Sequence, residues 1–431
     1  MPEKKHSRRG IFVGWWTVIL TGIAGGTGYG LYTLGISAFF KDLAAELGLS
    51  RAVTSLASGL GRLEGGVTSP LVGWLSDRVG PRWWVVSGLI IAGIGMILMR
   101  YIGEVWHYFV VWGVLIGIGL NIALTVAVDK ALTNWFVRRR GLAQGLRFSI
   151  LSVFQIISLQ VITSLVLAHG WRDTCFIWGF VMLAMVPFTL ALIKNQRPEY
   201  YGMLPDGAKV ELYATEAGKD MVGLGVEYAS SFDETEFTFR QAMKNFTYWV
   251  LVIALGLQNI IVGGFTIHII PFLTDKGIDT AIASGMMGMM VLFTIPSRLF
   301  GGIIADRLRK DRLKYLLSGI LFLHVIGIGA FLIFESTASV YILLACYGLS
   351  LGGATPLLIL MLGRYYGRTA FGSILGTTLA IFAPLGLLSP VYCGWVYDTT
   401  GSYHTVFVTF VIMAAASALV TLFIRTPRKP V

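Results

Sequence analysis

Twelve stretches of this chain, at about 13–40, 51–73, 83–103, 107–135, 141–167, 171–193, 246–273, 280–304, 314–334, 338–362, 371–396 and 403–425, are too apolar and too long for a water-soluble fold to bury. A helix crossing a bilayer needs about 20 such residues. In lipid every backbone polar group must be satisfied inside the protein, so only helices and closed barrels can span. The runs here are unbroken rather than alternating, which excludes a barrel. Composition agrees: 13% of residues are charged, against roughly 25% in soluble domains. The expected fold class is therefore an all-α membrane protein of twelve transmembrane helices. The first run is too long for a cleavable signal and lacks a small-residue cleavage site, so it is expected to remain as the first span. Cys175, Cys346 and Cys393 lie scattered in apolar runs and offer neither a disulfide framework nor metal-ligand spacing.

The net charge of +11 invites a nucleic-acid reading, but its distribution reads as topology. The basic residues concentrate in alternate loops: the N-terminal tail (Lys4, Lys5, Arg8, Arg9), loop 2–3 (Arg78, Arg82), loop 4–5 (Arg138, Arg139, Arg140), the central loop, loop 8–9, loop 10–11 and the C-terminal tail. The opposite loops hold only Lys41, Arg51, Arg100, Arg172 and Lys276. By the positive-inside rule both termini face the cytoplasm, as expected of a multi-pass protein of the inner (plasma) membrane. Residues 194–244, with Pro198, Pro205 and mixed charge, read as a cytoplasmic linker. It separates six-helix bundles over 1–193 and 245–431.

The two bundles repeat. Gly73-Trp-Leu-Ser-Asp77-Arg78 returns as Gly302-Ile-Ile-Ala-Asp306-Arg307, 229 residues on. Trp135-Phe136 with Gly141 and Gly145 returns as Tyr365-Tyr366 with Gly372 and Gly376, offset by 230 or 231. An even number of spans repeated in parallel is a transporter plan with pseudo-symmetric halves.

The stretch Gly73-Trp-Leu-Ser-Asp77-Arg78-Val-Gly80-Pro-Arg82, with its weaker copy at Gly302–Arg307, resembles the loop 2–3 signature of the major facilitator superfamily. The resemblance covers essentially the whole chain and implies the major facilitator fold. It also implies that Gly73, Asp77, Arg78, Arg82, Gly302, Asp306 and Arg307 form conformational loops holding the outward-facing state. Asp77 and Asp306 are expected near helix N-termini or cytoplasmic arginines, where a carboxylate is favoured. A narrower set of residues is similar to the monocarboxylate-transporter and oxalate–formate-antiporter branch. It comprises Gly14-Trp15-Trp16, Asn134-Trp135-Phe136 with Arg139-Arg140-Gly141-Leu142-Ala143, His268-Ile-Ile-Pro271 with Asp275, and Pro390, Gly394, Asp398 and Gly401-Ser-Tyr403. In that branch an arginine at the place of Arg298 binds the substrate carboxylate. The chain departs from animal relatives at Thr294, where they carry aspartate, and in span 1, which has no lysine before Lys41. Their proton-coupling scheme therefore does not transfer. Span 11 holds no lysine or arginine, so the exchanger's dicarboxylate clamp is absent in that form.

Ionisable residues within spans are costly and are functional candidates. Arg298 lies eight residues before Asp306, about 12 Å inside the helix end, and its guanidinium matches a carboxylate with two parallel hydrogen bonds. Arg147, about 9 Å past Gly141, belongs to a polar stripe of Gln144, Arg147, Ser152, Gln155 and Ser158. It either pairs with Asp129 at similar depth or gives a second anion contact. Lys130 points about 100° away from Asp129 and either faces the interior or snorkels to the cytoplasmic surface. Arg62 and Glu64 do not face each other and need other partners, with span 11 a candidate, as a gating or a structural pair. Glu64 is also a proton-carrier candidate, since a carboxyl in a low-dielectric site can exchange its proton near neutral pH. His268 is either a hydrogen-bonded packing residue or a proton or substrate contact.

Among neutral residues, Asn121, Tyr29, Tyr32 and Asn259 sit mid-span, where they offer hydrogen bonds to a substrate or act as helix–helix glue. Gly22/Gly26/Gly30 and Gly113/Gly117 read as close packing. No metal-ligand spacing, nucleophile elbow or phosphate loop occurs, so neither a cofactor nor an enzyme is expected. The resulting expectation is a monomeric secondary transporter of small carboxylates such as lactate or pyruvate, using proton symport or anion exchange. A dicarboxylate, larger anion, sugar or drug carrier and a non-transporting anion sensor remain as alternatives.

Overall fold

A computed structural model describes residues 12–48, 51–209, 220–232, 234–334 and 336–428, the side chains at 37, 41, 51–63, 280, 281 and 284 excepted. The Arg62 side chain thus lies outside the described residues. The described residues are helical, without a strand. Helix α1 covers 13–46, with a π-helical stretch at Gly30–Gly35. Then follow α2 (Arg51–Val79), α3 (Pro81–Leu98), α4 (Val105–Trp135), α5 (140–169) and α6 (171–192). After the linker come α7 (Phe246–Asp275), α8 (Thr280–Arg307), α9 (Leu313–Phe334), α10 (Thr337–Tyr366), α11 (Phe371–Thr400) and α12 (His404–Thr421).

Local chemistry sets the helix ends. Gly170 separates α5 from α6 at φ 78°, a conformation that glycine adopts without a Cβ penalty. Pro81 opens α3 at a position where no N–H is needed. Ser336 accepts the Ser339 N–H to start α10. Among the described residues nine helical segments are long and apolar enough to cross a membrane; Arg140–Leu192, one of them, comprises both α5 and α6. The first part of α1 stops at its π-helical stretch, and α2 carries Arg51, Arg62, Glu64, Asp77 and Arg78. At the linker end several helices run past the apolar stretch expected of them, α2 to Val79 and α10 to Tyr366, where caps and ion pairs replace lipid. The linker contains helices Met221–Ser231 and Phe239–Met243.

Six long helices precede the linker and six follow it, forming the two pseudo-symmetric halves of a major facilitator fold. Within the first half, α1 lies on α5, with Gly22, Gly26 and Gly30 against Ile150, Phe154 and Ser158. The halves meet along α2–α11 and α5–α8. Gly73 abuts the Gly372 carbonyl and Gly302 abuts that of Gly141, approaches that a Cβ would block. One apolar core fills the first half and continues at the linker end into the second, through Leu317, Leu360 and Tyr365; another fills the rest of the second half. The linker end is therefore closed.

Candidate functional site

A cavity of about 400 Å³ lies between α2 and α4 of one half and α7 and α11 of the other. Its polar lining comes from Ser69, Asn121, Thr125, Asn259 and Thr266, its apolar lining from Val262, Leu379 and Phe382; among the described residues no charged side chain lines it. Asn121 Nδ2 donates to the Gly117 carbonyl at 3.0 Å. Asn259 packs on Gly386 across the α7–α11 contact. Glu64 adjoins Gly65 in the cavity wall, and its Oε2 is buried with no hydrogen-bond partner among the described residues.

Behind this cavity α4 breaks at Thr125 (φ −107°, ψ −110°). The break frees the Leu124 carbonyl, which accepts Arg147 Nη2 at 2.6 Å. Arg147 Nη1 donates to Asp129 in the first turn of the resumed helix. Arg147 thus pins both sides of the break. It is 1% exposed, and of the two roles open to it the geometry is that of the ion pair. Tyr29 lies within electrostatic reach of this pair. Tyr32 instead stacks on Trp112 at 5.3 Å, inside the first half's core.

Arg298 is placed differently. It reaches from α8 across to α5, where Nη1 donates to the Phe148 carbonyl at 2.9 Å and to Ser152 Oγ. Its Nε is buried without a hydrogen-bond partner, and no carboxylate pairs with it among the described residues. The Phe148 ring lies near two guanidinium groups, 4.7 Å from that of Arg147 and 5.7 Å from that of Arg298.

At the linker end the repeated motifs form two related clamps. Asp77 accepts the Gly372 N–H (2.9 Å), the Ser373 N–H (2.7 Å) and the Ser373 hydroxyl (2.7 Å) at the start of α11. Asp306 accepts the Gly141 and Leu142 N–H groups (2.7 and 2.8 Å) at the start of α5. Each carboxylate meets the positive end of a helix in the other half. Beyond the additional Ser373 hydroxyl bond, the clamps differ in a cation. Lys130 is buried, pairs with Asp77 at 2.6 Å and donates to the Arg368 and Thr369 carbonyls, so it faces the interior rather than the surface. Leu360, 230 residues on, takes the corresponding place beside Gly141. Arg78 stacks on Trp74 (4.2 Å), the Arg82 N–H donates to Asn195 (3.1 Å), and Arg307 is exposed. His268, far from the linker, has both ring nitrogens engaged, with the Tyr403 hydroxyl and the Pro390 carbonyl at 3.0 Å each.

The linker contributes residues that the sequence reading passed over. Glu199 pairs with Arg368 at 2.9 Å. Glu234 lies 3.4 Å from both Arg140, at the start of α5, and Arg368, before α11, so one carboxylate bridges the halves. Asp206 accepts the N–H groups of Val137, Arg138 and Arg139. Glu236 accepts Arg197 Nη2 (3.0 Å) and the Thr369 N–H (2.7 Å). Burial works to raise the Glu236 carboxyl, but the Arg197 guanidinium and the Thr369 donors together outweigh it and hold the group below the usual carboxylate range. A depressed carboxyl stabilises the fold above its unfolded value of about 4.3, and that contribution is lost as pH falls through the lower folded value. Glu236→Gln is therefore expected to lower the melting temperature at pH 7, with the difference from wild type vanishing near the acid end of a melting series taken against pH.

Residues 17–390 match the family model of the Major Facilitator Superfamily, and the chain belongs to that family of membrane transporters. Within it, the chain is 27% identical over 405 residues to human Monocarboxylate transporter 11, covering 91% of this chain and 79% of that one. It is 25% identical over 378 residues to the Probable sulfoacetate transporter SauU of Cupriavidus necator, covering 82% and 81%. In fold it is similar to the proton:xylose symporter XylE (TM-score 0.72, 14% identity, 94% of each chain). It is likewise similar to the human organic anion transporter MFSD10 (TM-score 0.69, 13% identity, 95% and 98%).

Proposed function

We propose that the protein is a secondary transporter of small organic anions, monocarboxylates such as lactate or pyruvate foremost, working by alternating access with proton symport or anion exchange. The observation that carries this is Arg298, a mid-span guanidinium held through one nitrogen and lacking a carboxylate partner among the described residues. An unpaired buried charge is costly, and a transported carboxylate supplies the missing charge together with two matched hydrogen bonds. The names of the monocarboxylate and sulfoacetate carriers among its relatives support the same reading.

In this reading all twelve helices span the membrane, and the bundles over 1–193 and 245–431 rock about the cavity. The linker end is cytoplasmic and closed, so the state is one that takes substrate from outside. Glu64 is the proton-carrier candidate beside the cavity. Asn121 and Asn259 hold the uncharged part of the substrate. Asn121→Ala and Asn259→Ala are each expected to raise the KM for uptake about five-fold, the effect of roughly 1 kcal/mol from one neutral hydrogen bond; unchanged KM in both removes them from the site.

The size and neutral lining of the cavity favour a second reading within the same class, a larger organic anion with an apolar body; 400 Å³ falls in the range of drug-sized sites. Proteoliposomes test both. Lactate uptake stimulated by an inward proton gradient supports symport, and stimulation only by preloaded carboxylate supports exchange. Uptake of aromatic or branched carboxylates without lactate supports the second reading. Absence of any carboxylate uptake rejects the proposal.

A further inference from the structure

We propose that Ser152 is a positioning residue for Arg298, and that through it the affinity for the carboxylate depends on which side of the transporter is open. The proposal rests on the reading of Arg298 given above. The Arg298 guanidinium offers three nitrogens, and both protein contacts fall on one of them, Nη1. The edge formed by Nε and Nη2, which presents two parallel donors to a carboxylate, makes no hydrogen bond among the described residues, and Nε on that edge is buried. The Nη1 contacts therefore fix the ring plane and leave the recognition edge for the anion. The Phe148 face 5.7 Å away limits rotation on one side.

Ser152 is 1% exposed, and its hydroxyl stays beside α8 because the helices touch about two turns earlier, where Gly145 meets the Arg298 carbonyl. Arg298 belongs to the second half, whereas Ser152 and the Phe148 carbonyl belong to the first. Separation of α5 from α8, which opening the linker end requires, breaks both contacts together. The arginine is then preorganised for an anion in the state seen here and released from its orientation in the opposite one. Preorganisation enters affinity by lowering the ordering cost of binding. The carboxylate is thus held more tightly while the linker end is closed and more loosely once it opens. Arg147, near the same phenyl ring, does not compete for the anion, since Asp129 and the Leu124 carbonyl engage it.

The test compares wild type, Ser152→Ala and Ser152→Thr in vesicles of known orientation, with labelled lactate, pyruvate and sulfoacetate as probes. Ser152→Ala is expected to raise the KM measured from the outer side about ten-fold, the scale of a hydrogen bond to a charged group. The KM from the linker side and the maximal rate stay within about two-fold of wild type, and Ser152→Thr, which keeps the hydroxyl, restores the outer value. A merely structural role would instead lower the amount of folded protein and shift both sides alike. Equal changes on both sides, or none, overturn the positioning role while Arg298 keeps its own. Wild-type protein that carries none of the three probes overturns the reading of Arg298 and this proposal with it.

Discussion

Arg298→Lys and Arg298→Ala are both expected to reduce carboxylate uptake by at least about a hundred-fold while the protein still folds. Lysine keeps the charge but loses the planar fork, and with it two hydrogen bonds to an anion at roughly 1.5–3 kcal/mol each. Alanine loses the charge as well. The fold tolerates the loss because Arg298 is not one half of an ion pair among the described residues. Its removal strands only the Phe148 carbonyl and the Ser152 hydroxyl, and that hydroxyl can turn to a carbonyl of its own helix. Gel filtration and thermal melting should therefore match wild type. Substantial uptake by either variant would remove Arg298 from the anion site.

The second large effect is expected at Asp77. Its carboxylate holds the start of α11 by three hydrogen bonds and also neutralises Lys130. Asp77→Asn leaves Lys130 a buried cation with only carbonyl partners, and breaking a buried pair from one side costs about 3–5 kcal/mol. Most of that loss falls on the closed state, where Lys130 and α11 are packed together. A shift of about 5.5 kcal/mol takes a two-state equilibrium from 1:99 to 99:1, so the variant should sit largely open at the linker end. Asp306→Asn should do less, because Leu360 stands where the other clamp has Lys130. A cysteine at Ser69, 4% exposed at the α2–α11 contact, reports the change in a background lacking Cys175, Cys346 and Cys393. Its labelling by an impermeant maleimide from the linker side should rise strongly in Asp77→Asn and weakly in Asp306→Asn. Equal labelling would mean that the Lys130 pair does not hold the closed state.

These residues also mark how far the sequence alone could be read. The helices were legible because each apolar run is long enough to span and the polar linker interrupts the series once. Close packing at Gly22, Gly26 and Gly30 was legible from small residues four apart. Asp129 and Arg147 could be matched because their distances from helix ends gave them similar depth. The break at Thr125 could not, because neither proline nor glycine marks it; a side chain from another helix captures the carbonyl that the break releases. The partner of Lys130 was also hidden. Asp77 belongs to a motif in a different loop, and only the fold brings the two together.

The linker was read by its composition, as a polar and mixed-charge segment. Its glutamates do not simply face water: Glu199 and Glu234 are buried against Arg368 and Arg140. Nothing in local spacing distinguishes a solvated glutamate from one that joins two halves of a membrane protein. The same limit applies to Arg298. Its depth could be counted along α8, but its attachment to Ser152 depends on which face of α5 meets α8.

The most direct measurement is a structure of the protein with a transported carboxylate bound. The carboxylate is expected on the Nε–Nη2 edge of Arg298, at hydrogen-bonding distance from both nitrogens, with Nη1 still on Phe148 and Ser152 and the rest of the substrate towards Asn121 and Asn259. A substrate bound in the cavity with its carboxylate away from Arg298, and that edge still without an anion, would contradict it.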